Sequence, residues 1–249
     1  MSSKIIFVTG ANRGIGFAIV QALATRFPSH TYLLGVRSLP SGHEAIQSLK
    51  ALGLTSTAFE AIQIDITSDP SIASAVFLIK EKHTRIDILI PNAAIAERVK
   101  PGDQDFRASC NRTLDCNVTS FLVLASSFLP LLHASCTPQV IAISSARGSV
   151  HHLTTSQVPP TASIPYNISK TALNVAMLEM AKLESGVLWQ AASPGHCKTA
   201  FNGWMGKKDP LDGARVVVEL VADREQGDEG RLGMGFWEFE QGSLRSVEW

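Results

Sequence analysis

The sequence predicts an α/β fold, a single doubly wound domain in which a parallel sheet of about seven strands carries helices on both faces. Short apolar runs alternate with stretches of helical periodicity along the chain, which is typical of such a sheet. The 249 residues are 45% hydrophobic and 18% charged, a composition that folds around a substantial core. No internal repeat or linker interrupts the alternation, so residues 1–249 are predicted to form one domain.

Seven segments are predicted as strands because each is dense in Ile, Val, Leu or aromatic residues and is bounded by turn residues. The last of them has the weakest pattern. In order they are Ile5–Thr9, Thr31–Val36, Phe59–Asp65, Ile86–Pro91, Gln139–Ser144, Val187–Ala192 and Met234–Phe239.

Between the strands, apolar residues recur at helical spacing and are predicted to face the core. Two such stripes end at Leu52 and at Leu183. Two segments depart from the alternation, 149–165, rich in His, Thr, Ser and Pro, and 201–212, with two glycines and a proline. Both are predicted to be surface loops on the substrate side of the sheet.

Charge and hydropathy argue against several function classes. The 22 basic and 22 acidic side chains cancel, so no basic surplus favours nucleic acid or an anionic membrane. The longest apolar run, Phe121–Leu132, has 12 residues, whereas a membrane span needs about 20. Ile5–Val8 is too short for the apolar core of a signal peptide, so a cytoplasmic protein is expected. The four cysteines lack metal-site spacing, and neither a disulfide framework nor a metal is expected.

The loop after the first strand has the composition of a phosphate-binding turn. Its glycines permit a tight turn and let backbone N–H groups and a helix N-terminus approach a pyrophosphate. The position between a strand and an amphipathic helix favours dinucleotide binding over the alternative, an ordinary glycine-rich turn. The residues assigned to the cofactor here are Gly10, Asn12, Arg13, Gly14, Ile15 and Gly16.

The end of the second strand bears on the choice of cofactor. An acidic residue there favours a free ribose 2′-hydroxyl, whereas an arginine accommodates a 2′-phosphate. The chain has Arg37 followed by Ser38, and Arg13 lies in the glycine loop, so we expect NADP(H) rather than NAD(H). The alternative is that Arg37 is merely solvated and Arg13 caps a surface carbonyl.

A tyrosine and a lysine lie four residues apart at the start of a helical pattern, as Tyr166 and Lys170. They share a helix face, where a fixed cation stabilises a phenolate and is expected to move the tyrosine pKa towards the working range. The preceding strand ends in Ser144 and Ser145, and a serine there can bind a substrate carbonyl.

Taken together, these motifs resemble the short-chain dehydrogenase/reductase family. They are TGANRGIG at 9–16, the Asn-Ala-Ala at 92–94, the serine pair, YNISK at 166–170, and Pro194-Gly195 with Thr199. They occur in register along essentially the whole chain. The resemblance implies a Rossmann-type sheet of seven strands in the order 3-2-1-4-5-6-7.

The resemblance also implies roles at matching positions. Tyr166 would be the general acid or base, Lys170 would hold the nicotinamide ribose, and Ser145 would orient the carbonyl. Asn117 would hold a water that links the lysine to solvent. The remaining cofactor contacts implied by position are Asp65 and Ile66 near adenine, Asn92 and Ala93 at the central strands, and Pro194, Gly195 and Thr199 at the nicotinamide carboxamide.

Two departures from the family pattern bear on the pocket. Ser145 and Tyr166 lie 21 positions apart, farther than in many members, and the extra residues fall in 149–165. They could obstruct the helix face through which many relatives tetramerise, so a monomer or homodimer is expected. Ile95 replaces a usual glycine. The C-terminal sequence resembles the ending of carbonyl reductases and their sniffer-like and C-factor-like cousins.

The leading interpretation is therefore an NADPH-dependent reductase of a ketone or aldehyde, or the reverse reaction, in small-molecule or secondary metabolism. One alternative is a non-catalytic NADP(H)-binding redox sensor. Another is a dehydratase, epimerase or cyclase on the same scaffold. Apolar residues assigned to the substrate side suggest an apolar ligand: Ile95, Leu153, Phe201, Trp204 and Met205.

Overall fold

The computed structural model describes residues 3–155, 161, 163–225 and 232–249, which form one sheet of eight strands flanked by helices. The strands are β1 Ile5–Thr9, β2 Thr31–Val36, β3 Ala58–Gln63, β4 Ile88–Ile90, β5 Gln139–Ile143, β6 Leu188–Ser193, β7 Gly235–Glu240 and β8 Ser243–Ser246. The helices are α1 Gly14–Arg26, α2 Leu39–Ala51, α3 Asp69–His83, α4 Phe106–Leu114, α5 Ser120–His133, α6 Val150–Thr155, α7 Ile164–Leu183 and α8 Pro210–Glu225. A π-helical turn, Asp115–Thr119, joins α4 to α5.

The strand order is β3-β2-β1-β4-β5-β6-β7-β8, with every pair parallel except the last. The predicted order of the first seven strands is confirmed. The count of about seven omitted β8, which pairs antiparallel with β7 across a tight turn at Gln241 and Gly242. Ser243–Ser246 is a mostly exposed edge strand without an apolar run, so it lacks the pattern by which buried strands are recognised.

Two hydrophobic cores lie on opposite faces of the sheet, as double winding requires. On one face Phe7 of β1 packs with residues of α3, α5 and α7, such as Phe128. On the other face Val8 of β1 packs with residues of α1, α2 and α8, such as Val217. Successive strand side chains point to opposite faces, so a strand buried on both sides is apolar throughout.

Several boundaries differ from the sequence expectations. Residues 149–165 do not form a loop throughout, because Val150–Thr155 is helical and α7 begins at Ile164; positions 156–160 and 162 lie outside the described residues. Segment 201–212 contains part of a 3₁₀ turn and the start of α8. Leu52 and Leu183 are exposed rather than core-facing, since both lie at helix ends that extend past the sheet.

One continuous helical stretch, Phe106–His133, has 28 residues and contains an 18-residue window with a mean hydropathy of 1.4, which by length and composition would allow it to cross a bilayer. The sequence expectation considered only the 12-residue apolar run Phe121–Leu132 inside it. The α5 portion buries Phe121, Leu124 and Phe128 against the sheet. The absence of a membrane span stays a prediction, as do the compartment and the oligomeric state.

Candidate active site

The glycine loop connects the carboxyl end of β1 to the N-terminus of α1. Gly10 and Gly14 adopt φ of 66° and 60°, a region that side chains other than glycine disfavour. A Cβ on Gly16 would lie 2.3 Å from the carbonyl oxygen of Gly10, so only glycine lets the helix begin this close to the strand. The loop therefore presents the N-terminal backbone of a 13-residue helix at the carboxyl edge of the sheet.

Two exposed arginines lie at this edge of the sheet, one within the loop and one after the neighbouring strand β2. Arg13 precedes α1, and Arg37 follows β2, which pairs with β1. Among the residues that the structure describes, no carboxylate lies within 4.0 Å of either guanidinium. Ser38 is exposed, and its side chain makes no cap bond to α2. Both cations are thus available to an anionic ligand.

Asp65 and Ile66 lie two and three residues beyond the end of β3, so β3 ends earlier than predicted. The Asp65 carboxylate accepts hydrogen bonds from the backbone N–H of Thr67 at 3.0 Å and from its hydroxyl at 2.7 Å. These bonds, with a smaller contribution from Arg37, hold the pKa of Asp65 below its usual value. Ile66 packs partly against the core. Asp65 is therefore an anion beside the Arg37 cation.

Asn92 joins the two central strands at their carboxyl ends. Its Nδ2 donates to the carbonyl oxygen of Thr9 at 2.8 Å, and the Thr9 hydroxyl accepts from the backbone N–H groups of Asn92 and Ala93 at 3.0 and 3.1 Å. Ala93 lies against Gly10, whose Cβ would come within 3.1 Å of it. These bonds hold the start of the glycine loop against the residues that follow β4. The resemblance implied a role for Asn92 at the central strands.

Ser145, Tyr166 and Lys170 come together between β5 and α7. The phenol of Tyr166 lies close enough to Ser145 for the serine side chain to lower its pKa, and the Oγ of Ser145 accepts from the backbone N–H of Arg147 at 3.2 Å. The Lys170 side chain is buried, and its Nζ donates to the carbonyl oxygen of Ile143 at 2.7 Å. Nζ lies 5.6 Å from the centre of the Tyr166 ring. The sequence separation of 21 residues is closed by packing of α7 against the end of β5.

The pKa values of this group correct one expectation. Burial raises the pKa of Tyr166 to about 12, although the neighbouring Ser145 side chain acts in the opposite direction. Burial lowers the pKa of Lys170 to about 8. In the protein alone the lysine does not bring the tyrosine pKa towards neutrality, because the ammonium bonds a carbonyl group and desolvation of the phenolate dominates.

Asn117 lies in the π-helical turn, a local feature frequent at functional sites. Its buried amide accepts from the N–H of Ile95 and donates to the Ile95 carbonyl and to the Ser169 hydroxyl, each at 2.9 Å. A cavity of about 10 Å³, room for about one water, lies between Asn117 and Lys170. The water-holding role of Asn117 stays a prediction. Nothing in the local sequence indicated that Asn117 also holds Ile95.

Residues 194–199, which follow β6, form the remaining wall of the site. Pro194 is buried, and Gly195 adopts φ of 81°. The buried Thr199 faces Gly14, with its methyl group 3.8 Å from the position of a Cβ there. The motif residues from Gly10 to Thr199 therefore surround one cleft at the carboxyl edge of β1, β4, β5 and β6.

Aromatic and apolar side chains border this cleft. The Phe201 ring meets the Tyr166 ring edge-on at 5.6 Å between centres and is 49% exposed. Leu153, Trp204 and Met205 are also exposed. Arg98 donates to the carbonyl oxygen of Asn202 at 3.0 Å and so ties the segment after Ile95 to the 3₁₀ turn Ala200–Asn202. Two other residues, Asn174 and Ser193, hold the serine segment and were not singled out from the sequence.

Comparisons with known proteins agree with this geometry. The family described as short chain dehydrogenase matches residues 4–209. A short-chain dehydrogenase/reductase of Aspergillus fumigatus is 34% identical and aligns over 100% of this chain and 98% of its own. The (−)-isopiperitenone reductase of Mentha piperita is 26% identical over 91% of this chain and 95% of its own.

Among solved structures, the NADPH-bound carbonyl reductase from chicken fatty liver superposes with a TM-score of 0.81 over the full length of both chains at 24% identity. That likeness shows the same fold. The family match, the full-length relatives and the shared fold lead to one conclusion. The chain is a member of the short-chain dehydrogenase/reductase family of oxidoreductases.

Proposed function

We propose that this protein is an NADPH-dependent reductase that converts a ketone or aldehyde to an alcohol. The observation that carries the proposal is that the side chains of Ser145 and Tyr166 lie together, with the buried ammonium of Lys170 beside them. Three polar groups of these types at the carboxyl edge of an α/β sheet lie where such folds bind and transform their ligands.

The residues of the cleft fit a nicotinamide dinucleotide. The helix N-terminus at the glycine loop suits a pyrophosphate, and Arg13 and Arg37 are free to meet a 2′-phosphate. Among the described residues Lys170 is a buried cation with one hydrogen-bond acceptor, the Ile143 carbonyl oxygen, so it retains donors for ribose hydroxyl groups. When bound, the reduced nicotinamide supplies a hydride to the carbonyl carbon. The NADPH of the chicken carbonyl reductase supports the same choice of cofactor.

Two protein side chains, Ser145 and Tyr166, would bind and protonate the carbonyl oxygen. Ser145 donates a hydrogen bond that orients this oxygen and stabilises the negative charge that develops on it. Tyr166 donates the proton that completes the hydroxyl group. The phenol of Tyr166, whose pKa burial raises to about 12, is protonated at neutral pH and therefore carries the proton that reduction requires. The adjoining cavity of about 10 Å³ has room for about one water, through which Lys170 would take part in reprotonation.

The substrate is proposed to be apolar, with an aromatic ring or an extended hydrocarbon face near its carbonyl. Phe201 stands edge-on to Tyr166 and is half exposed, so it offers a ring surface directly beside the reacting group. Trp204 and Met205, three and four positions after Phe201 and also exposed, are proposed to extend this apolar surface.

A panel of quinones, aromatic ketones and aliphatic aldehydes tests the proposal, with NADPH oxidation followed by absorbance and NADH as the parallel cofactor. Tyr166→Phe should leave NADPH binding nearly intact and remove turnover. The chain has one other tyrosine, Tyr32, which is fully buried and far from the cleft in sequence and fold, so Tyr32→Phe is the matched control. It should retain turnover.

Four other experimental outcomes would each contradict part of this proposal. Turnover by Tyr166→Phe within a few-fold of the parent would refute the role of the phenol. Tight NADPH binding without oxidation of any carbonyl would favour the redox-sensor alternative. A changed product without net NADPH oxidation would favour a dehydratase, epimerase or cyclase. A clear preference for NADH would overturn the argument from Arg37.

A further inference from the structure

The segment 144–149, here called the serine turn, carries Ser145 from the end of β5 towards α6. Its first residue, Ser144, is buried and donates from Oγ to the Oδ1 of Asn174 at 2.5 Å. Near its other end, the carbonyl oxygen of Gly148 accepts a longer bond from the Nδ2 of Asn174, at 3.4 Å. One side-chain amide therefore holds both ends of the turn that presents Ser145.

Asn174 belongs to α7, the helix that also carries Tyr166 and Lys170. It lies four residues after Lys170, hence about 40° away on nearly the same face. At Gly148 the serine turn presses directly on this helix, because a Cβ there would lie 2.7 Å from the carbonyl carbon of Lys170. The turn and the catalytic helix thus form one rigid unit.

The Asn174 side chain is 3% exposed, and its amide bonds stay within this unit. An amide at a core-facing helix position lowers helix propensity and needs partners to offset its desolvation. An apolar residue would pack there without that requirement. The presence of an asparagine at this position is therefore explained by its hydrogen bonds to the serine turn.

Resting on the proposed function, we propose that Asn174 is a positioning residue that sets the distance between the Ser145 hydroxyl and the Tyr166 hydroxyl. It contacts neither of these hydroxyl groups. It acts through Ser144 and Gly148, which flank Ser145 on both sides. Reacting groups must be held within about 0.5 Å of their productive geometry, and a misplacement of about 1 Å can cost on the order of 100-fold in rate.

A double-mutant cycle on Asn174→Ala and Ser144→Ala tests this proposal. Each single variant should lower kcat about tenfold and leave the KM for NADPH within about twofold of the parent. The double variant should be no slower than the slower single variant, because both changes remove the same bond. Asn174→Asp keeps an acceptor for Ser144 and should recover kcat to within about threefold of the parent.

Gln139→Ala is the matched control. Gln139 is a fully buried amide at the opposite end of β5, where its Nε2 donates to Gln190 at 2.8 Å. Its replacement should lower the unfolding temperature without changing kcat by more than about twofold, since it removes a comparable buried bond far from the serine turn. Equal losses of kcat in Gln139→Ala and Asn174→Ala would mean that Asn174 is merely structural.

A second readout does not need a substrate. The chain contains two tyrosines, so ¹³Cζ labelling gives two resonances, which Tyr166→Phe assigns. Asn174→Ala and Ser144→Ala should shift the Tyr166 resonance, because the position of the Ser145 side chain beside the phenol changes, and should leave the Tyr32 resonance in place. An unmoved Tyr166 resonance or a parental kcat in Asn174→Ala would overturn the proposal. If the parent reduces no carbonyl, the proposed function fails, yet this resonance still decides whether Asn174 positions the pair.

Discussion

Replacing Lys170 with methionine should remove activity and at the same time stabilise the fold. Methionine has nearly the length of lysine and no charge, so it fits the buried position of the Lys170 side chain beside Tyr166 with little repacking. The lysine stands there at an energetic disadvantage, because burial opposes its charged form. A residue kept for its chemistry at the expense of stability is expected at an active site.

The magnitude follows from the Lys170 pKa, which burial lowers from 10.5 to about 8. Each pKa unit corresponds to about 1.4 kcal/mol, so the buried charge costs about 3 kcal/mol at neutral pH. Methionine also loses the bond from Nζ to the Ile143 carbonyl oxygen, worth about 1–2 kcal/mol. The net gain is about 1–2 kcal/mol, or about 2–8 °C in the unfolding temperature for a chain of this size.

The sign of the pH dependence is opposite to that of an ordinary salt-bridged lysine. Below about pH 8 Lys170 is charged in both the folded and the unfolded states, so the full cost applies. Between about 8 and 10.5 the unfolded state binds more protons than the folded state, and the parent gains stability as the pH rises. The advantage of Lys170→Met should therefore shrink across this range.

Thermal unfolding of both proteins at pH 7 and pH 10 measures the effect. Lys182→Met on the same helix is the control, because the Lys182 side chain is 70% exposed and, among the described residues, forms an ion pair with Glu179 alone. That change should alter the free energy of unfolding by less than about 0.5 kcal/mol at either pH. A lower unfolding temperature for Lys170→Met at pH 7, or an advantage that does not shrink by pH 10, would refute the reasoning.

Three further predictions concern the cofactor cleft. Arg37→Ala should raise the KM for NADPH about 10- to 100-fold, as loss of a charged hydrogen bond implies, and leave the KM for NADH unchanged in steady-state assays. Gly16→Ala should destabilise the fold by about 1–3 kcal/mol in thermal or denaturant unfolding, because its Cβ would meet the Gly10 carbonyl at 2.3 Å. A pH profile of kcat/KM for NADPH should fall as the pH rises through about 8, where Lys170 of the free enzyme loses its proton.

Each of these has a direct check. Arg26→Ala, at the far end of α1, should leave the KM for NADPH unchanged. Gly186→Ala places a Cβ where no atom lies within 4 Å and should be tolerated. For the pH profile, Lys182→Met should keep the parental midpoint, and a profile flat between pH 6 and pH 10 would contradict the assigned role of Lys170.

The order of the sheet and the location of the cleft could be predicted from the sequence because their signals are local. Glycines, a serine pair and a Tyr-x-x-x-Lys pattern follow apolar runs, and parallel strands bring their carboxyl ends to one edge. Strand β8 and helix α6 could not be predicted in this way. Ser243–Ser246 is mostly exposed and Val150–Thr155 has no buried residue, so neither shows a core-facing period.

The sequence by itself determined the fold class, the family resemblance and the identity of Ser145, Tyr166 and Lys170 as neighbours in one cleft. Only the tertiary structure decided the direction of the Tyr166 pKa and the attachment of the serine turn to Asn174, which lies 30 residues from Ser144. Residue periodicity encodes which face of an element is buried. Desolvation and bonds between distant segments depend on how those faces pack, and a local pattern carries no record of that packing.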